Sequence, residues 1–133
     1  MKKTIILLVI LILTLSTQAQ VVGEVVNDFF SAKLSYVVDG SDTTYYFEYG
    51  ANKAKAEENY EASVKLTSTG KESLYAYMTK AIRNKTMYEI GIDGRNYQVM
   101  HSETAKGVLF TQGMKEYPYV MLTTQELKKV FKK

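Results

Sequence analysis

Apolar and polar side chains alternate along the chain at Phe30, Ala32, Leu34, Tyr36 and Val38, with Ser31, Lys33, Ser35 and Val37 between them. A period of two sends successive side chains to opposite faces, so this segment is expected to form a half-buried strand. Asp39-Gly40-Ser41-Asp42 carries turn chemistry. Residues 43–50, rich in Tyr and Phe, then return as the second strand of a hairpin. The polar stretch 51–59 reads as a loop or a single helical turn. Tyr60, Ala62, Val64 and Leu66 restore the alternation as a third strand.

The period then changes. Leu74, Tyr77, Met78, Ala81 and Ile82 recur at helical spacing and form one apolar stripe. Thr69 and Glu72 stand at capping-box spacing ahead of it, and Asn84 supplies a stop. Tyr88, Ile90 and Ile92 lead into Asp93-Gly94, a tight-turn pair, and Tyr97 and Val99 lead out of it toward His101. Residues 108–112 and 119–123 read as two more strands. Pro118 sits at the edge of the last one, where its missing N–H costs least. Thr123 and Glu126 repeat the capping-box spacing before a short helix that turns Leu127, Val130 and Phe131 inward. The expected order is β-β-β-α-β-β-β-β-α, an α+β fold with a largely antiparallel, twisted sheet and two helices packed on one face. Residues 64–73 (VKLTSTGKES) and 120–127 (VMLTTQEL) are alike, each a strand entering a Thr-capped helix. With only two matches they are read as two uses of one local solution rather than as a repeat.

The first nineteen residues have a different pattern. Lys2 and Lys3 precede an apolar run from Ile5 to Leu15 broken only by Thr14, and a small, polar stretch follows with Thr17 and Ala19 at the −3 and −1 positions of a cleavage site. This is the layout of a secretory signal. The run is about half the roughly 20 residues a membrane-spanning helix needs. The expectation is therefore a cleaved signal peptide at 1–19 and one small domain at 20–133, periplasmic or secreted, of bacterial type. The chain has no cysteine, so neither a lipid-modified cysteine nor a disulfide framework is available to it. The Asn84-Lys85-Thr86 sequon is then accidental.

Charge narrows the partners. The whole chain carries +3, and loss of Lys2 and Lys3 brings the side-chain balance of the 114-residue remainder to +1. A nucleic-acid surface would need a basic stripe. The only local excess is Lys128, Lys129, Lys132 and Lys133, which reads as the solvated end of the last helix. No nucleic acid partner, transmembrane segment or lipid anchor is expected.

Candidate chemistry is sparse. Thr69-Gly70-Lys71-Glu72-Ser73 resembles the tail of a phosphate loop, but Lys65 stands where the first glycine belongs and Glu72 where the hydroxyl belongs. His101-Ser102-Glu103 is the one place with imidazole, hydroxyl and carboxylate together, yet neighbours on a strand face opposite ways. One histidine and no cysteine make a transition-metal site unexpected. Glu57, Glu58 and Glu61 read as a solvated run, and Asp39 to Asp42 as a hairpin turn rather than a calcium loop. Neither a catalytic residue, a metal nor a cofactor is assigned.

What stands out is tyrosine, eleven residues with no tryptophan. Tyrosine offers large contact area at low entropy cost. Tyr45, Tyr46, Tyr49, Tyr97, Tyr117 and Tyr119 are therefore the candidate binding residues, expected to form an exposed sheet face that takes a protein or glycan of the cell envelope. The leading expectation is a non-catalytic binding or interaction protein. The alternatives are a small carboxylate-based hydrolase acting on a cell-wall or glycan substrate, which needs two acidic groups facing across a cleft, and a structural or assembly subunit.

Overall fold

A computed structural model describes residues 18–52, 61–113 and 118–133. The apolar run of the expected signal, Glu57, Glu58 and Tyr117 lie outside them. The fold is α+β with antiparallel sheets. Its elements are β1 (Gln20–Val26), β2 (Phe30–Asp39), β3 (Asp42–Ala51), β4 (Glu61–Leu66), α1 (Ser68–Asn84), β5 (Met87–Ile92), β6 (Arg95–Ser102), β7 (Gly107–Thr111), β8 (Tyr119–Thr123) and α2 (Thr124–Phe131). The strands form two four-stranded meanders, β1-β2-β3-β4 and β5-β6-β7-β8, each antiparallel throughout.

β1 adds a strand to the order that periodicity gives. Its valines come in pairs, Val21-Val22 and Val25-Val26; the register against β2 shifts between Val21 and Gly23, and of the second pair Val25 is buried while Val26 is exposed. A bulge of this kind erases the alternation by which a strand is recognised. The start of α1 also differs. Thr67, not Thr69, is the N-cap, its hydroxyl accepting the Gly70 N–H at 2.9 Å. Glu72 takes no part in a capping box. Its carboxylate instead meets the ammonium groups of Lys133 at 2.9 Å and Lys71 at 3.2 Å. The second capping box is present: Thr123 Oγ1 accepts from the Glu126 N–H at 3.1 Å, and Glu126 Oε1 accepts from the Thr123 N–H at 3.0 Å.

Among the described residues, the two like segments 64–73 and 120–127 sit at equivalent places in a repeated order of elements, which favours a repeat over two uses of one local solution. Each half is four antiparallel strands followed by a helix, and each helix is capped by Thr at its start and by a left-handed Lys, Lys85 or Lys132, at its end. Strand register lets positions be matched between halves. Phe47 lies opposite Val64, two residues before Leu66 and the Thr67 cap. Phe110 lies opposite Val120, two residues before Leu122 and the Thr123 cap.

The halves interlock. α1, which follows the first sheet, packs mainly on β5, β6 and β7 of the second, whereas α2, which follows the second sheet, packs mainly on β1 and β2 of the first. Gly23 marks the crossing of α2 over β1. A Cβ there would run into the carbonyl oxygens of Lys129 and Val130, so only glycine lets the two backbones come this close. One core results, joining Leu34, Phe47 and Val64 of the first sheet to Val99, Phe110 and Leu122 of the second and to Leu74, Met78, Leu127 and Val130 of the helices.

Candidate functional site

The five candidate tyrosines among the described residues, Tyr45, Tyr46, Tyr49, Tyr97 and Tyr119, do not share an exposed face. Tyr49 and Tyr97 are core residues, 1 % and 3 % exposed. Tyr49 stands edge-on to Phe110 with ring centroids 4.9 Å apart, and Tyr97 stacks on the same ring at 5.3 Å. Burial raises the pKa of both phenols above the ordinary tyrosine value; for Tyr49 the neighbouring Tyr97 adds to the rise, and for both the Arg95 guanidinium opposes it. The Tyr49 hydroxyl is buried without a hydrogen-bond partner. Tyr45 is half-buried beside Tyr36 at 5.8 Å, with the Lys71 ammonium 4.4 Å from its ring centre. Tyr46, its neighbour, faces the other side of the sheet and pairs with Lys65 and Ser35. Tyr119 is 47 % exposed, but it stands in the other sheet, edge-on to Phe30. The physical reason is that Tyr45 and Tyr49, alternating with Phe47 along β3, and Tyr97, two residues before Val99 on β6, face the core between two sheets, where a single sheet would have left one face open.

The remaining candidates are structural in their contacts. The Ser102 hydroxyl accepts the Ala105 N–H at 3.2 Å and points at Met121 Sδ at 3.4 Å, closing the β6–β7 turn. His101, half-buried on the opposite face, is held by its backbone N–H to the Thr86 carbonyl at 3.2 Å. No histidine–carboxylate cluster with metal-holding geometry occurs among the described residues. A depression on the outer face of the first sheet does gather Glu24, Glu48 and Glu61, but its volume is about 130 Å³ and Glu48 is engaged by Lys33 at 3.4 Å. Ligand pockets run from about 300 Å³ upward, so this depression is small beside them.

A larger concavity lies where the two halves meet. A groove of about 500 Å³ runs between the start of α1 and β5. Its apolar lining comes from Leu66, Leu74, Ile90 and Ile92, with Tyr77, 39 % exposed, at the side. Thr43, Thr44, Thr67 and Thr69 supply hydroxyls along the rim, and Lys65 and Asp93 supply one charge of each sign. The strands on either side, β4 and β5, are both sheet edges, each paired on one side only among the described strands. An edge strand offers unpaired backbone donors and acceptors to whatever lies beside it.

The repeat explains why this groove is open. The junction of α1 with the β5–β6 turn has a twin, the junction of α2 with the β1–β2 turn. Matching β1 to β5 by register places Asn27 where Ile92 stands, and matching the helix caps places Glu126 where Gly70 stands. At the twin, Asn27 Nδ2 donates to Glu126 Oε2 at 3.0 Å and the junction is latched. At the groove, Ile92 and Gly70 have no polar side-chain atom with which to do the same. The sequence pattern places Tyr77 on the inward stripe of α1, Ile90 and Ile92 on a strand and Thr69 at the helix cap, with none of them among the binding candidates. The signal that marks them is the missing glutamate at the third helical position of α1, seen once the two halves are matched. Comparison with protein-family models, with characterised proteins and with solved structures found no match for the chain.

Proposed function

We propose that this chain is an exported, non-catalytic binding protein that holds an extended polypeptide segment of the cell envelope in the groove between α1 and β5. The observation that carries the reading is the open junction itself, about 500 Å³ of largely aliphatic lining beside two strand edges, where the twin junction is closed by Asn27 and Glu126. An extended peptide can pair its backbone with a sheet edge while alternate side chains enter the groove. The aliphatic lining, with a single exposed tyrosine, favours apolar side chains over the ring of a sugar. Export rests on the Lys2-Lys3, apolar-run and Thr17-x-Ala19 sequence. Cleavage after Ala19 also leaves β1, which begins at Gln20, whole.

The test is a display screen of peptides and envelope oligosaccharides against the purified 20–133 protein, followed by titration of the selected ligand. The double variant Gly70→Glu/Ile92→Asn, which copies the latch of the twin junction, is expected to lose binding at least about tenfold while keeping its circular dichroism. Equal binding by this variant removes the groove as the site. Selection of oligosaccharides alone overturns the peptide reading.

A further inference from the structure

We propose that the chain forms an exchanged dimer with a second copy of itself, in which the first half of one chain (β1 to α1) packs on the second half (β5 to α2) of the other. Three observations lead there. Each helix finds its main partner in the sheet of the other half, so most of the helix-to-sheet packing runs between halves. The halves are joined by only Lys85 and Thr86. Lys85 sits at φ 51°, and the chain reverses there with the Lys85 and Thr86 N–H groups both donating to the Ala81 carbonyl. A non-glycine residue in the left-handed region carries a conformational penalty. Straightening this hinge relieves that penalty and lets α1 run on, and every contact between halves re-forms with the partner copy at no loss of buried surface. The partner surface is thus the same surface already buried within the monomer. Each dimer would carry two grooves, each built from both chains.

The absence of cysteine makes the test clean. Asn27→Cys/Glu126→Cys places a thiol on each half at a junction where the native side-chain atoms lie 3.0 Å apart. The full-length mature protein is refolded at high concentration, dimer and monomer are separated by size exclusion, and each is treated with a short bis-maleimide. The exchanged dimer is expected to yield covalently linked dimer on a denaturing gel, whereas the monomer yields only internally linked chain. A separate arm uses Lys85→Gly, which removes the penalty of the closed hinge and is expected to weaken dimerisation at least about fivefold per hinge. A dimer that cross-links only within chains overturns the proposal. So does a protein that stays monomeric at every concentration, or a dimer fraction that Lys85→Gly leaves unchanged.

Discussion

Phe47 and Phe110 occupy the same register position in the two sheets and meet edge to face, with ring centroids 5.5 Å apart and planes at 68°. They sit at the middle of an aromatic row that runs from Tyr97 through Phe110, Phe47 and Phe131 to Tyr75, and so from the second sheet through the first to both helices. Because the two rings are equivalent, replacing either by leucine is expected to cost about 1.5 kcal/mol. The double variant is expected to cost about 1 kcal/mol less than the sum, since the edge-to-face contact is lost only once. Chemical denaturation of the four proteins of this cycle measures both quantities. Independent, additive losses would show that the two sheets are not coupled through this pair.

The Tyr49 hydroxyl is buried and unpartnered. Tyr49→Phe removes a group whose burial costs about 1–3 kcal/mol when it lacks a hydrogen bond, so this variant is expected to be as stable as the native protein or up to about 1 kcal/mol more stable. Burial also holds the Tyr49 and Tyr97 phenols protonated in the fold beyond the ordinary value of 10.0. A pKa raised on folding gives stability that is intact below about pH 10 and falls as pH climbs past it, because the unfolded chain then releases protons the native one retains. Denaturation midpoints at about pH 8 and about pH 11 are expected to differ less in Tyr49→Phe than in the native protein.

Gly70 stands in the first turn of α1, three residues after the Thr67 cap. A Cβ there lies 3.2 Å from Thr67 Oγ1, an approach that Glu126 accommodates at the equivalent place in α2. Gly70→Glu is therefore expected to raise stability by about 1 kcal/mol, from better helix propensity and a completed capping box. Thermal melts check this. A loss of stability would mean that the Thr67 side chain cannot give way to the new Cβ.

Gly23→Ala is expected to be severe. The new methyl would press on the Lys129 carbonyl and lie 2.5 Å from that of Val130, both backbone atoms that cannot rotate away. A cost of about 3 kcal/mol follows from overpacking of this kind. Hydrogen exchange is expected to show the loss in α2 and β1 together, because the substitution pushes one off the other.

Much of the fold was legible because it follows from local chemistry. The hairpins at Gly40 and Gly94, the helical stripe of Leu74, Met78 and Ala81, and the Thr123-Glu126 box are all written within a few residues of where they act. The losses came from features that need a partner distant in sequence. β1 is hidden by a bulge beside Gly23, the glycine that α2 crosses from more than a hundred residues away along the chain. Tyr49 and Tyr97 carry the same alternation as a solvent-facing tyrosine would, and only the second sheet decides that they are buried. The groove was invisible for a related reason: it is defined by what Gly70 and Ile92 lack relative to Glu126 and Asn27, a comparison that requires the two halves to be superposed.

The crossing of the helices also governs when this polypeptide can acquire its structure. Whatever order the residues emerge in, β1 waits for α2, the last helix of the sequence, and α1 waits for strands that come after it. Such long-range dependence slows folding and discourages either end from settling early. In a chain arranged in this way, the packing of each sheet depends on residues far along the sequence rather than on its neighbours.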